Sequence, residues 1–140
     1  VLDRKDIIED PSWEEAMIVV TSNHERHAIN LHKAQAFAIS KGVPVIIWKK
    51  PLAGILASRF SDEGLRNLYE KKLELTGIFV QGAPCVIREE NINPTRGLAN
   101  GTAGYMHSIC ISDSDQPDFY RQKIQSAKPG EVIEIPVPFA

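Results

Sequence analysis

Cysteine is scarce in this chain. Cys85 and Cys110 are the only two thiols among 140 residues, and they form no C-x-x-C pair. That excludes a disulfide scaffold and a cysteine zinc site, and it points to a reducing, intracellular compartment. Long apolar runs are missing too. None approaches the ~18 residues that a membrane-spanning helix needs, so no membrane partner is expected. Nucleotide and hydrolase signatures are likewise absent: there is no G-x-x-x-x-G-K-[ST] loop, no G-x-G-x-x-G, no G-x-S-x-G and no H-E-x-x-H. Without such a loop, no backbone amides and lysine are set to cradle a triphosphate. Nine glycines and nine prolines exclude low complexity, and no internal repeat is present.

What remains is the composition of one ordinary domain, with 43% hydrophobic and 24% charged residues and a net charge of −2. Such a length is enough to bury a core and too short for two large domains. The chain begins at Val1, and its only methionines are Met17 and Met106, so it is expected to be a piece of a longer protein. Charge is unevenly spread. Six acids stand against Arg4 and Lys5 over residues 1–15, and nine basic residues stand against four acidic ones over residues 16–72. Residues 73–140 are again acidic. A basic middle is compatible with a phosphate backbone as partner, and equally with solvated helix faces.

Hydrophobic patterning divides the chain near residue 76. Residues 1–16 mix acids with Pro11 and Trp13 and read as a linker or the end of a preceding element. Met17 to Thr21 is a short run of β-formers, the pattern of a strand buried on both faces. Ser22-Asn23-His24-Glu25 fits a capping box, and Ala28, Leu31, Ala34 and Ala38, widened by Ile29 and Phe37, continue as a helix to Lys41-Gly42. Val43 to Trp48 reads as a second buried strand. Strand, helix and strand with tight connections predict a β-α-β unit with parallel strands. An irregular piece through Gly54 follows, and Ser61-Asp62-Glu63 caps a helix whose apolar face is Leu65, Leu68, Tyr69 and Leu73. Beyond Gly77 the β candidates are Ile78–Val80, Pro84–Ile87, Ala103–Ile111 and Val132–Ile135. They are separated by the turn signals Asn93-Pro94, Gly97 and Asn100-Gly101. Short strands at this density predict a small barrel over residues 77–140. The fold class is thus α/β, a partial layer over residues 17–76 followed by a barrel.

Most residue types that carry chemistry lack a partner in the sequence. At about 100° per residue, His27 stands about 300° from His24, and His32 about 140° from His27, so the three share no helical face for a metal. Cys85 and the pair His107-Ser108 have no visible orienting carboxylate for nucleophilic work. Glu89-Glu90 reads as a solvated loop. No catalytic and no metal-ligating residue is expected. The start of the first helix is more informative. Thr21, Ser22 and Asn23 stand at the C-terminal end of a predicted parallel strand, where helix amides and the positive end of the dipole face outward. Arg26 and the neighbouring histidines run against that dipole, a conflict that a bound phosphate relieves. The plainer alternative is a simple Ser22 cap with Arg26 paired to a carboxylate.

Two segments, taken together, resemble a known family. The first is Val19-Val20-Thr21-Ser22-Asn23 with Glu25-Arg26 and Ile29-Asn30. The second is Gly82-Ala83-Pro84-Cys85-Val86-Ile87-Arg88, then Asn91-Ile92-Asn93-Pro94, then Gly97-Leu98-Ala99-Asn100-Gly101-Thr102-Ala103-Gly104. In this order and at this separation they are similar to the second RecA-like domain of the Pif/RecD-type superfamily-one DNA helicases and to its "G-x-P-V-M-L … N … G-L-x-N-G-T-x-G" stretch. Gly130 to Pro136 is similar to a later strand of the same β-rich insertion. The resemblance spans roughly residues 17–137.

The resemblance implies a partial RecA-like layer followed by an SH3-like β-barrel insertion. It also implies a parent enzyme that uses ATP and Mg²⁺ to translocate 5′ to 3′ on single-stranded DNA and unwind duplexes. Such enzymes act in repair, recombination, telomere maintenance or a Helitron-like element, in the nucleus or mitochondrion of a eukaryote. Carried over by position, Thr21, Asn23 and Arg26 would contact the DNA backbone, and Gly97, Asn100, Gly101 and Gly104 would shape the barrel's turns. The partners implied are single-stranded DNA and the remainder of the helicase polypeptide. The family's phosphate loop, Mg²⁺-binding acids and γ-phosphate sensors are missing, and its H-K-S-Q-G-type segment would follow residue 140. No ATP hydrolysis is therefore expected of the chain unaided. Leu52 to Lys72 is an extra loop and helix for that family. The alternative is a free-standing module whose barrel binds single-stranded nucleic acid or a protein. That alternative calls for aromatic platforms, of which Tyr105, Phe119 and Tyr120 are the candidates in the second half.

Overall fold

A computed structural model of the chain describes residues 18–52, 57–88, 93–112 and 115–138. The expected linker over residues 1–16, Met17, Gly54, Glu89-Glu90 and Asn91-Ile92 lie outside the described residues. The fold is mixed α/β, with two small sheets flanked by helices.

Helix α1 (Asn23–Lys41) begins and ends where its caps dictate. Ser22 holds extended backbone, and its Oγ accepts the Glu25 N–H at 3.2 Å. At the other end Gly42 adopts φ +71. Its N–H donates to the Ile39 carbonyl and the Val43 N–H to that of Ala38, a Schellman ending that needs a residue tolerant of the left-handed region. Strand β1 (Val45–Lys49) follows at once, so α1 lies antiparallel to it and the start of α1 stands near the end of β1.

Helix α2 (Asp62–Lys71) is capped by Ser61, whose Oγ accepts the Gly64 N–H at 3.1 Å. Its predicted apolar face, Leu65, Leu68 and Tyr69, is the half-buried one. Leu73 belongs instead to a 3₁₀ turn, Leu73–Leu75. Strand β2 (Thr76–Phe79) comes next, then β3 (Pro84–Val86), β4 (Ala103–Tyr105), α3 (Pro117–Gln125) and β5 (Val132–Glu134).

β1 is the centre of a three-stranded sheet in the order β2-β1-β5. It pairs antiparallel with β2, Ile46 opposite Phe79 and Trp48 opposite Gly77. It pairs parallel with β5, Val45 opposite Val132 and Ile46 opposite Ile133. Alternation along β1 therefore feeds two cores. On one face Val45 joins Ala38, Val80 and Ala83 beneath α1. On the other, Ile46 joins Ile133 and Ile135 beneath Tyr120 and Ile124 of α3. Both faces are covered, as the continuous apolar run Val43–Trp48 predicts.

Several expectations are corrected. The run through Ile18, Val19 and Val20 is not a strand: Ile18 is 51% and Val19 88% exposed. The expected parallel partner of β1 is instead β5, and with β2 on the opposite edge both ladder sides of β1 are occupied. The described strands close no barrel. β1 recruits β2 and β5 into its own sheet, so β3 and β4 are left as a separate antiparallel ribbon. The central sheet thus draws on the chain both before and after residue 76. Within Ala103–Ile111 only Ala103–Tyr105 is extended into a ladder. Ala28 is exposed, while Ile29 and Leu31 in the same turns are half-buried. Helix α3, with Pro117 at its start, was not expected from the pattern.

Candidate nucleic-acid interface

The first turns of α1 gather the polar residues singled out in the sequence. Thr21 and Asn23 are exposed and Arg26 is half-buried. Asn23, Arg26 and His27 fall at i, i+3 and i+4, so they share one flank of the helix. Ser22 is occupied by capping, and its carbonyl also accepts the Arg26 N–H at 3.1 Å. The first-turn amides of a helix point beyond its end and carry partial positive charge.

The sequence reading missed what the fold brings to this end. α1 packs against the Leu73–Leu75 turn, and Lys50, just past β1, is pinned beside it. The Lys50 N–H donates to the Leu75 carbonyl at 2.8 Å and its Nζ to the Glu74 carbonyl at 3.1 Å. The Tyr69 hydroxyl donates to the Lys50 carbonyl at 2.6 Å. Burial, and then the positive charges of Lys50, Arg26 and Arg88, hold His27 below its ordinary pKa, while Glu74 pulls the other way. Three basic side chains, from α1, the end of β1 and the stretch after β3, thus stand close enough for His27 to feel each of them. Glu74 is the acid among them. Its Oε1 lies 3.8 Å from Lys72 Nζ, and its Oε2 is buried without a hydrogen-bond partner among the described residues. The one available signal was Lys49-Lys50-Pro51 at the close of a buried strand, the sheet edge where α/β folds bind ligands.

A depressed histidine pKa makes stability depend on pH. The unfolded chain protonates His27 near 6.5 and the folded chain only at lower pH. Its contribution is therefore full above 6.5 and is lost as pH falls through 6.5 toward the folded value. Urea denaturation at pH 7.5 and 5.5 should show a smaller loss for His27→Gln than for the parent chain. An equal loss would remove His27 from the account.

The residues expected to shape turns lie elsewhere. Gly97, φ +77, closes the 3₁₀ turn Pro94–Arg96. Asn100 and Gly101 are central in a turn closed by the Thr102 N–H on the Ala99 carbonyl at 3.0 Å. Gly101 has positive φ and Asn100 does not, the pattern of a type II turn rather than the hairpin type I′. The Gly101 N–H donates to the Ile87 carbonyl at 2.8 Å, so this turn extends the β3–β4 ribbon instead of joining two strands directly. Gly104 lies within β4 opposite Cys85. These residues are not brought together with Thr21, Asn23 and Arg26 by any hydrogen bond or ladder pair described.

Among the described residues no group of three or more His, Cys, Asp or Glu could hold a metal ion. No described helix is long and apolar enough to cross a membrane. Cys85 is half-buried in β3 and Cys110 is exposed, both as free thiols. Comparison with known protein families, curated proteins and solved structures finds no match to the chain.

Proposed function

We propose that this chain is part of an ATP-dependent DNA helicase of the Pif/RecD type and that it contributes contacts to the backbone of single-stranded DNA, not ATP hydrolysis. In this reading residues 17–76, with α1 and β1, belong to a second RecA-like motor domain, and residues 77–140 stand where the family carries its SH3-like barrel, two of their strands being added to the edges of β1. The observation that supports it most is the gathering of Arg26, His27, Lys50 and Arg88 at the helix start that also carries Thr21 and Asn23. Phosphates favour such a place twice, through outward amides and through positive side chains. A phosphate there would also favour protonated His27, so DNA uptake would carry a proton and tighten as pH falls.

ATP and Mg²⁺ belong to the remainder of the polypeptide in this reading. The 140 residues contain no phosphate-loop lysine, and the described carboxylates form no cluster fit for the metal. Compartment follows the parent enzyme, nucleus or mitochondrion in a eukaryote.

Fluorescence anisotropy with a labelled oligo-dT tests the proposal. The triple variant Thr21→Ala, Asn23→Ala, Arg26→Ala should bind at least roughly fiftyfold more weakly, since one charged and two neutral hydrogen bonds sum to about 2.5 kcal/mol even at the low end of their net values. Its circular dichroism should be unchanged, since none of the three is in the core. Unaltered affinity would dismiss the backbone contact.

A further inference from the structure

The β3–β4 ribbon separates its side chains into an inward and an outward row. Ala83, Cys85 and Ile87 are buried or half-buried, while the alternating Pro84, Val86 and Arg88 are exposed. On the facing strand Thr102 and Met106 are half-buried, while Ala103 and Tyr105 are exposed. Register sets Pro84 opposite Tyr105 and Val86 opposite Ala103, so these four apolar residues share the outward face. Val86 is 52% and Tyr105 77% exposed. Met106 anchors the ribbon from below: its backbone exchanges hydrogen bonds with Gly82 and Ala83, and its side chain packs on the core under α1.

This row of apolar side chains ends on a cation. Ala83, just before β3, packs with Ala38 near the end of α1, and Arg88, which continues the outward row after Val86 at the other end of the strand, carries its charge to His27 in the first turns of the same helix. An aromatic platform therefore runs into the basic flank at the start of α1. A protein partner of ordinary affinity covers about 800 Å² on each side, more than two three-residue strands present. Single-stranded nucleic acid matches both features at this scale, with flat bases for the ring and phosphates for the cations.

We propose that Tyr105, flanked by Pro84 and Val86, is a stacking platform for one base of a single strand whose phosphates run past Arg88 toward Arg26 and Lys50. This rests on the backbone-binding reading above and adds to it a site for the base.

The test compares oligo-dT with an oligomer of equal length made of abasic sites, by anisotropy on the whole chain. The parent chain should prefer oligo-dT. Tyr105→Ala should weaken oligo-dT binding by roughly tenfold, within the range for loss of one stacked base, and leave abasic binding unchanged. Tyr105→Phe should restore oligo-dT binding, and Arg26→Ala should weaken both oligomers alike. Equal affinity of the parent chain for the two oligomers, or no loss in Tyr105→Ala, would overturn the stacking site while leaving the backbone contact standing. Binding of neither oligomer would end both. Sedimentation of the parent chain and Tyr105→Ala completes it: a change from dimer to monomer with oligo-dT affinity unaltered would make this face an interface between copies, and would also overturn the proposal.

Discussion

Ile133→Ala should destabilise the chain by about 2–5 kcal/mol, the range for truncating a buried isoleucine to alanine. Ile133 is 1% exposed and pairs in parallel with Ile46 at the centre of the core beneath α3. Truncation removes methyl and methylene groups from an apolar site and leaves a cavity that a β-strand held on its ladder fills only in part. A small domain has about 5–15 kcal/mol in all, so this one change consumes a large share. The adjacent residue supplies the control. Val132 points to the opposite face and is 43% exposed, so Val132→Ala should stay within about 0.5 kcal/mol. Urea denaturation followed by circular dichroism reads both. A larger loss at 132 than at 133 would mean that β5 does not sit in this register, because a slip by one residue exchanges the two faces.

Gly77→Ala should cost about 1–3 kcal/mol, the usual penalty of overpacking, although alanine ordinarily suits a strand better than glycine. Gly77 is buried opposite Trp48 in the β1–β2 ladder. A Cβ built there would lie 2.1 Å from Cε2 of the Trp48 indole and 2.4 Å from Cζ2. The ring lies over the glycine and must move if a methyl appears, and it is itself packed beside Ile46 and Ile133. Shortening the ring should relieve the conflict, so the added cost of Gly77→Ala should shrink in a Trp48→Leu background. An undiminished cost there would trace the loss to the backbone and not to the indole.

How far the sequence discloses this structure depends on whether local signals or long-range pairing decide each element. The caps of α1 and α2 are local: Ser22, Gly42 and Ser61 do what their chemistry requires, and the boundaries follow within a residue or two. β1 was legible as a strand buried on both faces because its apolar run is continuous. Its partners were not. A parallel neighbour drawn from residues 132–134 lies more than eighty residues away, and no periodicity in Val45–Lys49 distinguishes it from the nearer run Ile18–Val20. The described strands close no barrel for the same reason, since short β segments announce themselves locally but the sheet they join is settled by competition for the edges of β1. α3 escaped notice because nine residues with Phe119, Tyr120 and Ile124 between two turn regions carry little more than two turns of amphipathic pattern.

The candidate site divides along the same line. Thr21, Asn23 and Arg26 were legible as a helix start. Lys50, Glu74 and Arg88 were not, since they reach that end of α1 through β1, the turn after α2 and the β3–β4 ribbon. That gathering of basic groups from separate elements is the strongest support for a phosphate partner, and it concerns charge above all.

Salt dependence therefore tests the central proposal most directly. Each phosphate neutralised by a basic side chain on a single strand releases counterions and contributes about −0.7 to the slope of log K against log salt. With Arg26, Lys50 and Arg88 engaged, anisotropy titrations of oligo-dT across a salt series should give a slope near −2, and removing Arg26 should make it shallower by about 0.7. A slope near zero, or one that Arg26→Ala leaves unchanged, would contradict the assignment of this helix start to a nucleic-acid backbone.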